Sequence, residues 1–124
     1  MPNIEETDCI NRLQEIEQMF ENILKLINPI VTLDRESRLK AQELLKVLKN
    51  HLKEEVHFYT SEKNKDKITL IDKNFYLPAI LDAKSHLRIK VNSVPNQKWF
   101  ADIYSAEGDI SHWRYKLTHK DYKM

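Results

Sequence analysis

Glycine is nearly missing: the 124 residues contain one, Gly108. Phosphate-cradling loops, dinucleotide fingerprints and nucleophile elbows each need several glycines at fixed spacing, because backbone must approach a ligand closely or turn with positive φ. None can be built here. Tight Asn-Gly hairpins go with them, which weakens any sheet-based reading. Cysteine is equally scarce. Cys9 stands alone, which excludes an internal disulfide and a cysteine-rich zinc site and suits a reducing compartment. The formal net charge is only +1, so no global field announces nucleic acid, membrane or an acidic substrate. No apolar run approaches membrane-spanning length, and the acidic start MPNIEETDC is unlike the basic-then-apolar start of a signal peptide. Together these absences predict an intracellular, cytoplasmic protein.

What is present is helical rhythm. Charged residues make up 31% of the chain, which suits a helical protein with well-solvated outer faces, and the length fits one domain over residues 1–124. Cys9, Leu13, Ile16, Phe20, Ile23 and Ile27 recur at alternating steps of four and three and predict a helix over 4–28, ended by Pro29. A second helix is expected over 34–61, with Leu44, Leu45, Leu48, Leu52, Val56 and Tyr59 inward and Thr32 or Asp34 capping its first amides. EKNKDK reads as a solvated loop, and ITLID as a strand or an apolar loop packed under the bundle.

A third helix is expected over 75–93, with Pro78 in its first turn and Leu77, Ile80, Leu81, Leu87, Val91 and Val94 as its stripe. Leu87, Ile89 and Val91 also alternate with charged or polar residues, which is a strand signature, so residues 86–92 stay open between helix and strand. A fourth helix opens at Pro95 and runs to 119, with Trp99, Ile103, Ala106, Ile110, Trp113 and Leu117 in step. Gly108 lies off that stripe and costs about 1 kcal/mol against alanine, a mark of close contact or of a bend. Four amphipathic helices make an antiparallel four-helix bundle the simplest all-α fold. Acidic residues crowd positions 1–22 and basic ones the C-terminal end. Such a bundle lays these two ends side by side, where they complement each other.

Glu55 is the chemical tension in this pattern. It falls inside the apolar arc of the second helix, and a carboxylate there must find a partner or change its charge. His51, four residues earlier, projects beside it, and a histidine and a glutamate at that spacing can both ligate one metal. The segment HLKEEVHFY resembles one motif of the hemerythrin-like HHE bundles, and the resemblance implies a di-iron centre drawing on His51 and Glu55. That family also takes histidines from its other helices. Here the first helix has none, and His86, His112 and His119 fall away from their stripes. The competing reading is structural: Glu55 pairs with Lys84 of the third helix or with His51, or lies at the wet margin of the bundle.

Arg114 and His119, separated by four residues near the end of a small helical chain, resemble the motif of HEPN domains. The resemblance implies RNA cleavage at a dimer seam, with His119 as general acid–base and Arg114 holding the phosphate. Tyr115 stands where that family usually carries a polar residue such as Asn, and a solvated basic helix end explains the same residues. Trp113, Tyr115 and Tyr122 among basic residues allow a nucleic-acid surface, although Trp113 is expected in the core. The regular seams also serve homodimers, in which case exposed Phe58, Tyr76, Phe100 or Tyr104 would form a patch. No cofactor is expected. The function most consistent with these features is a small interaction or regulatory module of the adaptor, antitoxin or immunity type, acting by binding a protein partner, with a homodimer possible. The HEPN-like and metal-binding readings stand as alternatives.

Overall fold

The computed structural model describes residues 4–27 and 33–119. These residues form four α-helices and no strand: α1 (Ile4–Leu26), α2 (Arg35–Thr60), α3 (Leu77–His86) and α4 (Gln97–Thr118). Each helix packs on its two neighbours in the ring α1, α2, α3, α4. The pairing is antiparallel. From α2 toward the chain that follows, Glu55 meets Tyr76, Lys49 reaches Ile89 and Gln42 reaches Ser93, one number falling as the other rises. The same holds between α3 and α4, where Phe75 and Asp82 meet Trp113 while His86 meets Asp109.

The stripes expected for α1 and α4 are the core. Cys9, Leu13, Ile16, Phe20 and Ile23 from α1 and Ile103, Ala106 and Ile110 from α4 are fully shielded from solvent. Ala41, Leu45, Leu48 and Leu52 of α2 meet them. Each large side chain in this set stabilises the fold by about 1.5–3 kcal/mol relative to exposure. Trp113 departs from its expected core place. It is only partly buried and donates its indole N–H to Asp82 at 2.7 Å.

The helix starts follow from side-chain caps. Asp34 accepts the amide of Ser37 at 2.7 Å and opens α2, while Thr32 and Asn28 lie outside the described residues. Asn96, not Pro95, opens α4 by accepting the amides of Lys98 and Trp99 at 2.9 and 3.2 Å, so α4 begins at Gln97.

The third helical stretch differs most from expectation. EKNKDK is a 3₁₀ helix (Glu62–Lys67), held by buried Asn64, which donates to the Phe58 carbonyl at 3.1 Å. ITLID is no strand. Thr69 accepts the amide of Asp72 at 3.0 Å and caps a helical stretch that begins at residue 70. Residues Asp72–Tyr76 then form one π turn, in which the Leu77 amide reaches back to the Asp72 carbonyl. Proline 78 supplies the reason. It has no amide for the normal ladder, and its ring crowds the carbonyl four residues earlier, so the helix widens just before it.

The helix ends at His86 rather than 93. Residues 87–96 are a non-helical connection with the alternation seen in the sequence: Leu87 and Ile89 are buried, and Arg88 and Lys90 are exposed. Lys49 and Gln42 of α2 donate to its carbonyls at Ile89 and Ser93, both at 2.8 Å, so α2 takes the place of a strand partner. Leu81 and Val94, expected inside, are 43% and 60% exposed.

Candidate functional site

The π turn displaces Asp72 and Tyr76 into the space between α1 and α2, and a polar cluster forms there. Arg12 donates to Asp72 and to the Tyr59 hydroxyl, both at 2.6 Å. Its guanidinium also lies over the Tyr76 ring, 4.5 Å from the centroid. Tyr59 and Tyr76 meet edge to face at 5.0 Å, and the Tyr76 hydroxyl donates to Glu55. Burial matters here because the Asp72 side chain keeps only 8% of its exposure, so its charge depends on Arg12.

Burial also pushes the Tyr59 hydroxyl and the Cys9 thiol up to about 12 each, despite the nearby guanidinium, which acts in the opposite direction. Cys9 is therefore a buried thiol and a poor nucleophile. Burial first, and then the bond to Glu55, raise Tyr76 further still. Every charged group in the cluster is answered from within it. The arrangement ties α1, α2 and the π turn together.

This settles where Glu55 points. Its hydrogen bond comes from Tyr76, not from His51 or Lys84. Lys84 is exposed and lines an open cleft with Lys53, Glu54 and His57, outside the apolar arc where it was expected. Tyr76, expected on a surface patch, is fully buried. His51 is half-buried on α2, and no group of three or more His, Cys, Asp or Glu side chains among the described residues is placed to hold a metal ion.

Arg114 turns toward α1. It donates to both oxygens of Glu17, at 2.5 and 3.1 Å, while Ser111 donates to the same carboxylate at 2.8 Å. Of the expected match between acidic start and basic end, the described residues supply this one pair, and Lys120 and Lys123 lie outside them. His119 closes α4, its ring stacked on Tyr115 at 3.9 Å and its Nδ1 beside the Thr118 hydroxyl. Arg114 and His119 are each held in their own local contacts, and the guanidinium needed for a phosphate is committed to Glu17. Tyr122 lies outside the described residues.

Beside Arg114, Glu17, Glu21 and Glu107 line an open cleft of about 390 Å³. One Glu107 oxygen is buried without a hydrogen-bond partner. Burial, followed by the contact with Glu21, pushes the Glu107 carboxyl up to about 8. Two ionised carboxylates have no donor between them, so this contact is favourable only while one of them holds a proton.

The remaining feature is a surface. Ala101, Tyr104, Gly108, His112 and Tyr115 are all exposed along α4, Tyr104 by 62% and Tyr115 by 58%. Their steps of three and four place them on one narrow arc, directly opposite the buried stripe. Phe100 stacks on Tyr104 with centroids 6.0 Å apart. A chain so rich in charge has no Asp, Glu, Lys or Arg on this arc.

Sequence reasoning missed Arg12, Asp72 and Tyr76. Arg12 carried one signal, being the lone base among the acidic residues at the N-terminal end. The other two are placed by the π turn, which no apolar pattern announces. Comparison with known proteins finds no matching family model, no matching curated protein and no matching solved structure.

Proposed function

We propose that this protein is a small helical-bundle module that acts by binding another protein chain through the outer arc of α4, in the manner of an adaptor or regulatory subunit. The observation carrying this reading is the uncharged, tyrosine-bearing arc around Gly108. Protein-binding surfaces are depleted of charge at their centre and enriched in tyrosine, and Tyr104 and Tyr115 supply large, stiff contact area. In the other readings Arg114 would hold a phosphate and Glu55 would ligate a metal, and both are already engaged, Arg114 by Glu17 and Glu55 by Tyr76.

The test is affinity capture from cells that make the protein, with partners identified by mass spectrometry. Wild type is compared with a Tyr104→Glu/Tyr115→Glu double variant shown by circular dichroism to be folded. A partner recovered by wild type and lost by the variant supports the reading. Equal recovery by both, or no partner for either when an untagged second copy of this chain is counted among the partners, removes it.

A further inference from the structure

We infer that the outer arc of α4 is a self-association seam, on which a second copy of this chain crosses antiparallel with Gly108 on the two-fold axis. The inference rests on the protein-binding reading above and names the partner.

Gly108 comes first. It is exposed, its φ is not positive, and a Cβ built on it would meet none of the described residues within 4 Å. Neither backbone conformation nor packing inside the chain asks for glycine at mid-helix. An approaching backbone would, because only the missing Cβ lets two helices cross closely.

The second observation is which side chains would face one another about that point, since the four-and-seven spacing itself is common to every helix face. Ala101 and Tyr104 lie seven and four residues before Gly108, and His112 and Tyr115 lie four and seven after it. A two-fold axis through Gly108 therefore sets Ala101 against the partner's Tyr115, and Tyr104 against the partner's His112. Small meets large, and ring meets ring. This is the reciprocal pairing that an isologous interface demands, residue i on j and j on i.

Charge and area agree with this occupant. The arc carries no formal charge, so laying it on its own copy brings no like charges into the contact, and a strongly acidic or basic partner would find nothing to pair with. The area sets the strength. A helix of 22 residues is about 33 Å long, and one helix face of that length lies at the small end of specific interfaces. The dimer is accordingly weak, with Kd on the order of 1–100 μM.

Sedimentation equilibrium from low micromolar to about 1 mM tests this on wild type, Gly108→Leu and Tyr104→Ala, with Tm measured in parallel. Wild type should pass from monomer to dimer. Gly108→Leu should raise Tm at dilution, since it is the better helix former and meets no clash, yet weaken association at least roughly ten-fold. Tyr104→Ala should weaken it as well. Wild type that stays monomeric throughout, or a dimer indifferent to Gly108→Leu, overturns the inference. A monomer that still captures a different protein through Tyr104 would sink the seam alone and leave the protein-binding reading intact.

Discussion

Arg12→Met removes a charge and keeps most of the stem, so it isolates the polar cluster. The variant leaves Asp72, with 8% of its side chain exposed, without its cation. Breaking a fully buried pair costs about 3–5 kcal/mol, but the Arg12 side chain is 26% exposed, and water there reduces the loss to about 2–3 kcal/mol. Losing the guanidinium from the face of Tyr76 adds about 0.5–1 kcal/mol. The total is about 3 kcal/mol, a fall in Tm of roughly 10–15 °C for a chain of this size. Urea titration followed by circular dichroism should show the midpoint drop with an unchanged slope. Asp72→Asn leaves a charge that water reaches, so it costs less, about 1–2 kcal/mol. The double variant should cost little more than Arg12→Met alone, a coupling of at least about 1 kcal/mol. A loss below about 0.5 kcal/mol for Arg12→Met, or simple additivity in the cycle, would refute the claim that this pair pins α1 to the π turn.

Tyr76→Phe, which takes the donor from Glu55, should cost about 1 kcal/mol, whereas Glu55→Gln keeps an acceptor and should cost less than about 0.5 kcal/mol; equal losses in urea titration would contradict the bond. Asn96→Ala should lower stability by about 1 kcal/mol through the lost cap of α4, and a neutral result would remove that cap. The raised Glu107 carboxyl gives a pH effect whose sign is fixed. Below the ordinary carboxylate range both folded and unfolded chains hold the proton. Between that range and about 8 only the folded chain does, so this contribution to stability is lost as pH rises through the window. Unfolding free energies at acidic, neutral and mildly alkaline pH should fall more steeply for wild type than for Glu107→Gln, and parallel curves would contradict the shared proton.

Most of the bundle was legible because the interior of a small helical protein is written in one periodicity. The stripe of α1 is buried throughout its described length, and that of α4 departs from the core only at Trp113, which is partly buried. The third helix carries Pro78 in its first turn as the sequence suggested, but it ends at His86 rather than 93, and the proline looks the same in sequence whether or not a helical stretch precedes it. Here Thr69 opens the stretch, and the proline produces a π turn. That turn changed the site as well, since it buries Tyr76 and hands Glu55 a phenolic donor from a residue that the sequence offered only for an exposed patch in the homodimer reading. The alternation of Leu87 and Ile89 was real, but α2 side chains satisfy the carbonyls that a neighbouring strand would have taken. Gly108 was visible as an anomaly. Its meaning depended on knowing that none of the described residues approaches it.

Oxidative footprinting of the protein at a few micromolar and near 1 mM decides whether the outer arc of α4 is a self-association seam. Leu39, half exposed on α2 across the bundle, serves as the internal reference. Tyr104 and Tyr115 should lose reactivity at the higher concentration while Leu39 keeps its own. Unchanged tyrosine reactivity, or protection of Leu39 in their place, would contradict it.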